Sequence, residues 1–328
     1  MRGTAAGAMI RSDEFAGRPA WAAKVDPRAA LADLGLPAPV ACSPVGGGAW
    51  AALWRVVDTE GTWALRVLPT GADAAARREV AVMAVARAGG VPVPVLRATG
   101  TFGDHPVLVT AWVPGHTVAD ALARRPWRAW ALGHACGDVL ATIHQVSAPP
   151  SLRANPGDSW LEMVAAGPLG RDIQARLAGC DRNSVLIHLD FHPANVLTDG
   201  RRVTGVVDWT NAGAGDWRAD VARTWSILRL DVGRPGVLTP LGRLVLAVFT
   251  AGWWAGYRQA ARRANVPAVP RRLAGLALFH AWAGSYMVRD LAGRRDAAFW
   301  QRADGWIGHW LARADSPSAR PGVPPSGH

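Results

Sequence analysis

One segment of the 328-residue chain has residue types and spacing that could carry a reaction: His188-Leu189-Asp190-Phe191-His192-Pro193-Ala194-Asn195, followed by Val206-Val207-Asp208-Trp209. The form is H-x-D-x-x-x-x-N, then an apolar run that ends in Asp. Phosphoryl transfer from a nucleoside triphosphate asks a protein for little covalent help. It needs a carboxylate to orient the attacking hydroxyl and oxygen ligands to hold Mg²⁺ on the phosphates. A loop presenting Asp190 and Asn195, with Asp208 delivered by the adjoining hairpin, supplies those groups together. Taken singly, Asp190 and Asn195 read as loop and cap residues and Asp208 as a turn former at a strand end. The complete string, with its interposed hairpin, argues for chemistry.

The surrounding pattern shows what must position these groups. Residues 41–68 form short β-like runs, two of them joined by Asp58-Thr59-Glu60-Gly61 as in a hairpin. An Ala- and Arg-rich helix is expected over 72–88, stopped by Gly89-Gly90, Pro92 and Pro94. A strand pair fits 96–102 and 107–112, closed by Pro114-Gly115. Beyond it the signals turn helical: helices over 127–145 and 161–177, a short strand over 185–187, a hairpin turning at Asp199-Gly200, and nearly continuous helix over 216–314. The expected fold is α+β. A β-rich N-terminal lobe (19–113) and a larger helical lobe (114–315) would meet at a connector near 110–116, with the cleft between them as the expected site. Residues 1–18 and the Pro/Ser/Gly-rich 316–328 read as disordered tails.

With His188, Asp190, Asn195 and Asp208-Trp209 in this order, the sequence resembles the aminoglycoside phosphotransferase family, the kinase-like small-molecule phosphotransferases that include choline kinase relatives, over residues 41–230. The resemblance implies a protein-kinase-like two-lobe fold. It implies that Asp190 is the catalytic base, that Asn195 and Asp208 ligate Mg²⁺, and that His188 braces the loop. His192 reads as a packing or solvent-facing histidine. Upstream, Arg66 in Trp63-Ala64-Leu65-Arg66-Val67-Leu68 stands where the family places its phosphate-pairing cation, and Glu79 where it places the helix glutamate. Arg66 replaces the lysine of protein kinases, but a guanidinium is always charged and can fork across phosphate oxygens or onto Glu79. Gly46, Gly47 and Gly48 would form the phosphate-covering loop, where glycine lets backbone N–H groups approach closely. Thr110 and Trp112 lie in the connector expected to offer backbone groups to the nucleobase. Asp216, a helix N-cap, and Asp220, which by resemblance ties the catalytic loop to that helix, read as structural, with Asp216 also open to a substrate contact.

Composition narrows the partners. Thirty-six Lys+Arg against 25 Asp+Glu give a net charge of +11. The excess is almost all arginine, spread as singles and pairs; Lys24 is the one lysine and Glu14, Glu60, Glu79 and Glu162 the only glutamates. That skew points to compositional bias rather than to a nucleic-acid partner. Cys42, Cys136 and Cys180 are odd in number and lack C-x-x-C spacing, which argues against a disulfide scaffold or a cysteine zinc site and for a reducing cytoplasm. The longest uncharged apolar stretch, 244–257, falls short of the roughly 20 residues of a membrane span, and the N-terminus has no signal-peptide run. A soluble cytoplasmic protein with a sizeable core is expected.

The functional expectation is an ATP- or GTP-dependent, Mg²⁺-requiring O-phosphotransferase acting on a hydroxyl of a small molecule, an antibiotic or a metabolite. The alternative is a catalytically silent kinase-like module that binds nucleotide or a partner, favoured only by Arg66. A protein kinase is disfavoured, because Asp208-Trp209 replaces D-F-G and no A-P-E follows. The acceptor would be bound by the C-terminal helices, where the aromatic pairs Trp253/Tyr257 and Trp282/Tyr286 read as pocket or core. After Trp225 the carboxylates are Asp231, Asp290, Asp296, Asp304 and Asp315, with no Glu, which favours a less cationic acceptor than a polycationic aminoglycoside. Oligomeric state is not legible.

Overall fold

The computed structural model describes residues 19–46, 50–152, 159–180, 184–230, 239–264, 276–293 and 295–316. The chain divides into two compact units, Met1–Met83 with Val93–Pro114, and Ala84–Pro92 with Gly115–His328. The expected tails fall outside the described residues except for Ser316, which caps the last helix.

The first unit is an antiparallel sheet. Its strands are β1 (Ala41–Val45), β2 (Ala52–Val57), β3 (Thr62–Val67), β4 (Leu96–Phe102) and β5 (His105–Ala111), in the order β1-β2-β3-β5-β4. Alternation explains both faces. Val107 and Val109 of β5 join Trp54, Val56, Leu65 and Val67 in one core, while Leu108 turns the other way onto Leu68, Ala72 and Ala76. That is why β5 is apolar almost without interruption: both of its faces are covered. A short helix, α1 (Pro27–Asp33), supplies Ala30 and Leu31 to the first of these cores. Sequence reading missed it because its pattern is brief, although Asp26 caps it by accepting the Arg28 N–H. Helix α2 (Asp73–Ala88) follows β3 and matches the expected span. The β2–β3 turn is held by Asp58, whose Oδ1 accepts N–H donors from Glu60 and Gly61 and whose Oδ2 takes Arg97 Nη1 at 2.5 Å.

The second unit contains β6 (His116–Thr117), α3 (Val118–Arg124), α4 (Ala129–Gln145), α5 (Pro168–Leu177), β7 (Val185–Ile187), β8 (Val196–Thr198), β9 (Val203–Val206), β10 (Gly213–Gly215), α6 (Trp217–Leu230), α7 (Pro240–Arg263), α8 (Ala277–Asp290) and α9 (Ala297–Asp315). Two small sheets, β6-β8-β9 and β10-β7, frame the loops between them. The single helix expected over 161–177 is instead a 3₁₀ turn, Trp160–Glu162, and then α5. Gly167 has φ 118, and the proline after it can begin a helix but not continue one. Strand β10 also went unread, because Gly-Ala-Gly carries no β signal. Glycine is needed at 215, where a Cβ would lie 2.3 Å from Ile187 and 2.7 Å from Trp160. Helices α4 and α7 touch backbone to backbone: a Cβ on Gly137 would sit 2.0 Å from the Trp253 carbonyl oxygen, and one on Gly256 2.1 Å from that of His134. Among the described residues, no helix is long and apolar enough to cross a membrane.

Candidate active site

The loop joining β7 to β8 holds the residues from His188 to Asn195. Val196 pairs with Val206 across the β8–β9 ladder, and the Val207 N–H donates to the Asn195 carbonyl at 2.9 Å. Asn195 and Asp208 therefore stand at the same end of one hairpin. The Asn195 amide donates from Nδ2 to the Asp190 carbonyl at 3.0 Å and to Asp190 Oδ2 at 2.9 Å. Thr210 Oγ1 donates to Asp208 Oδ1 at 2.9 Å. Leu189 (φ 60) and Asp208 (φ 63) are the non-glycine residues with left-handed backbone among those described. Each such conformation costs on the order of 1–3 kcal/mol and persists only where the surroundings impose it. Here it does so immediately before Asp190 and at Asp208 itself.

His188 and Asp220 impose it. His188 is fully buried; its Nδ1 accepts the Asp190 N–H at 3.3 Å and its Nε2–H donates to the Val207 carbonyl at 3.2 Å. Burial pushes its pKa down against the pull of the Asp220, Asp190 and Asp208 carboxylates, so the imidazole is neutral and locked in one tautomer. Asp220, on α6, accepts the His188 N–H at 2.6 Å and the Leu189 N–H at 2.8 Å. His144 Nε2 lies 3.1 Å from the same carboxylate, and its Nδ1 lies 2.8 Å from the Tyr257 hydroxyl. Burial would raise the Asp220 pKa, yet His144 and these donors hold it below the ordinary carboxylate range. Asp216 is bound by Arg218 through both carboxylate oxygens.

Burial would likewise raise the Asp190 pKa, but the His192 ring and the guanidinium of Arg223 hold it well down, so it is a carboxylate at neutral pH. His192 is not a passive neighbour: its Nε2 lies 3.6 Å from Asp190 Oδ2, and its Nδ1 accepts the Ala194 N–H at 3.2 Å. Its position two residues beyond Asp190 in a tight loop was the available signal. Arg223 was also passed over; its signal is the three-residue step from Asp220, which puts both on one face of a helix.

The upstream candidates lie in the first unit. Arg66, on β3, forms an ion pair with Glu79 of α2, whose side chain is 1% exposed. That carboxylate is buried with a cationic partner. Thr110 is buried on β5, in register with Ala64 and Leu96. The Trp112 N–H donates to the Thr62 carbonyl at 2.9 Å, and the Arg55 guanidinium sits 5.6 Å from its ring. Gly46 is exposed at the end of β1, while Gly47 and Gly48 lie outside the described residues.

Among the described residues no cluster of three His, Cys, Asp or Glu could hold a metal. The Asn195 and Asp208 pair presents side-chain oxygen, because the Asn195 Nδ2 is turned to Asp190 and its Oδ1 is the amide atom that would coordinate. One or two protein oxygens complemented by phosphates and water is the usual ligation of Mg²⁺, so the donor set fits.

The sequence matches the family model described as "Phosphotransferase enzyme family" over residues 41–276. No curated protein sequence matches. Among solved structures, a thermostable mutant of aminoglycoside phosphotransferase APH(4)-Ia, in ternary complex with AMP-PNP and hygromycin B, superposes with a TM-score of 0.59 at 16% identity, covering 88% of this chain and 98% of that one. An aminoglycoside-3'-phosphotransferase of type VIII gives 0.52 at 20% identity over 75% and 93%. A candidate fructosamine-3-kinase from Haemophilus somnus 129PT gives 0.57 at 12% identity over 86% and 95%. These likenesses confirm the kinase-like α+β fold.

Proposed function

The chain belongs to the phosphotransferase enzyme family, and we propose that it is a Mg²⁺-dependent kinase that moves the γ-phosphate of ATP or GTP onto a hydroxyl of a small molecule. The observation that carries this reading is the Asp190–Asn195–Asp208 cluster: an ionised carboxylate tied to an amide at 2.9 Å, beside a second carboxylate on the same hairpin end. Asp190 accepts the hydrogen bond of the acceptor hydroxyl and takes its proton as the oxygen attacks phosphorus. Asn195 and Asp208 would hold Mg²⁺, which when bound neutralises charge on the phosphates. Residues 19–113 would form the nucleotide-binding lobe and 114–315 the catalytic and acceptor-binding lobe. Within the former, Arg66, oriented by Glu79, binds phosphate oxygens; Gly46, Gly47 and Gly48 cover them; and the connector at Thr110 and Trp112, with the Trp112 N–H spent on the Thr62 carbonyl, offers the nucleobase its Trp112 carbonyl. Such a protein works in the cytoplasm, in keeping with the free thiols of Cys42 and Cys136, without nucleic-acid or membrane partners.

The acceptor we propose is less cationic than the hygromycin B bound by the solved relative. Of the aspartates after Trp225, Asp290 is engaged by Arg223, Asp296 caps α9 and Asp315 pairs with Arg176. Asp231 lies outside the described residues, and Asp304 is the remaining one, exposed on α9. Little carboxylate is left to bind several ammonium groups.

The test is nucleoside-diphosphate release from Mg-ATP and Mg-GTP across aminoglycosides, macrolides, nucleosides, sugars and amino alcohols, with Asp190→Ala alongside. Acceptor-dependent release that disappears in Asp190→Ala, while nucleotide still binds, is the expected result. Near-normal phosphorylation by Asp190→Ala would overturn the base assignment. Nucleotide binding without transfer to any acceptor would favour the silent module instead.

A further inference from the structure

Leu189 is the residue whose left-handed backbone aims Asp190, and it is gripped at both ends of its backbone from a single helix. Asp220 accepts its N–H at 2.8 Å, and one turn further along α6 the Arg223 Nε donates to its carbonyl at 3.2 Å. Residues three apart on a helix share a face, so the carboxylate and the guanidinium close on the donor and the acceptor of one residue. Arg223 is 1% exposed, which is unusual for a charge unless it is paired. Its partner is Asp290 at the end of α8, at 2.7 Å from Nη2, and its guanidinium lies 4.1 Å from the Tyr286 ring on the same helix. The third nitrogen, Nη1, is buried and makes no hydrogen bond. A well-packed apolar side chain would cost less here; what Arg223 provides is reach from α6 both to the loop carbonyl and to α8.

We infer that Arg223 is a positioning residue for the phosphoryl transfer, the cationic half of a clamp that holds Leu189 left-handed and ties the catalytic loop to α8 through Asp290. The inference rests on the kinase reading, in which Asp190 is the base. Asp290 is one-third exposed, so α8 presents to solvent the carboxylate that steadies the clamp. Disturbing Asp290 then reaches Asp190 through two contacts without touching nucleotide or metal ligands. Lysine carries all its donors on one nitrogen, whereas Arg223 reaches the carbonyl and the carboxylate from two, Nε and Nη2, so lysine can restore the linkage only in part.

The test compares wild type with Arg223→Lys, Arg223→Met, Asp290→Asn and the double variant Arg223→Met/Asp290→Asn. It uses steady-state kinetics and hydrogen exchange of peptides spanning 186–196, with Mg-nucleotide binding as the check on folding. Expected are a fall in kcat of at least about tenfold for Arg223→Met with nucleotide affinity unchanged, partial recovery in Arg223→Lys, and a smaller loss in Asp290→Asn. The last loss should vanish in the Arg223→Met background, since both changes break one linkage. Exchange around Asp190 should quicken in step. A kcat within twofold of wild type in Arg223→Met, or a fall in kcat with loop exchange unaltered, would overturn the assignment. If Arg223→Met fails to bind nucleotide, Asp290→Asn and Arg223→Lys decide by the same two readouts. A wild-type protein silent toward every acceptor would remove the kinase reading, and the exchange comparison would then judge the clamp by itself.

Discussion

Asp208 and Asp220 are both carboxylates near one loop, and their surroundings differ. Asp220 has 0% exposure and spends both oxygens on buried donors, the N–H groups of His188 and Leu189 and the ring of His144. Replacing it with alanine strands those donors, which for a buried charged partner costs about 3–5 kcal/mol. Asp220→Ala should therefore lose stability in chemical denaturation followed by tryptophan emission, and an unchanged midpoint would contradict the bracing role. Asp208 stands on left-handed backbone just beyond β9 and accepts from the Thr210 hydroxyl. Asp208→Ala should leave the melting temperature nearly unchanged while weakening Mg-nucleotide binding by about tenfold or more, a loss of about 1.4 kcal/mol per factor of ten. Titration calorimetry with Mg-AMP-PNP separates the two. Equal loss of stability in both variants would mean that Asp208, too, is only structural.

At the scale of elements, the α4–α7 contact and the β2–β3 turn show what the fold depends on. Gly137 and Gly256 let two helices meet at their backbones, so Gly137→Ala must drive α7 off α4 and should destabilise by about 1–3 kcal/mol or more. Gly308, on α9, has nothing within 4 Å of where a Cβ would be. Gly308→Ala should stabilise by about 0.5–1 kcal/mol through helix propensity alone. Opposite signs in paired thermal melts are the check; a shared sign would mean the close approach is not what glycine serves. At the turn, burial would raise the Asp58 pKa, but the Trp63 side chain, the Arg97 guanidinium and two backbone N–H groups bring it down to about 2. A depressed folded-state pKa stabilises above the ordinary carboxylate value and loses that effect as pH falls through the folded one. The stability gap between wild type and Asp58→Asn should thus be full at neutral pH and close between about pH 4 and pH 2; a gap that persists at pH 2 would show that Asp58 acts without its charge. Sequence reading found this turn, all five strands of the first sheet and α2, because strand alternation, Gly/Pro stops and helical period are local signals. It missed α1, β6, α3, β10 and the break at Gly167. The first four are short, and the last depends on one glycine dihedral. That Asp190, Asn195 and Asp208 come together was legible because a short loop and one hairpin join them in the sequence. Arg223 was not, because its meaning lies in Leu189 and Asp290, residues 34 and 67 positions away.

For the whole molecule the relevant quantity is charge. A net +11 and a pI near 11.1 surround every encounter with a positive potential, and such a field speeds association of anions and slows that of cations before any contact forms. Nucleoside triphosphates are polyanions, so the nucleotide of the proposed reaction should feel this field strongly, and the acceptor only in proportion to the charge it carries. Between roughly 0.01 and 0.15 M ionic strength the screening length falls from about 30 to about 8 Å, which removes most of the long-range field and leaves local contacts. The KM for nucleotide should rise several-fold over that range. The KM for a polycationic acceptor, if one is turned over, should fall, and that for an uncharged sugar or nucleoside should stay level. The arginines are spread over the sequence rather than gathered at Asp190, so the effect should survive neutralising any single pair, such as Arg124 and Arg125, and shrink only in proportion to the net charge removed. If instead one pair abolished the salt dependence of the nucleotide KM, the attraction would be a local phosphate contact, and Arg66 would no longer be the sole candidate for that role.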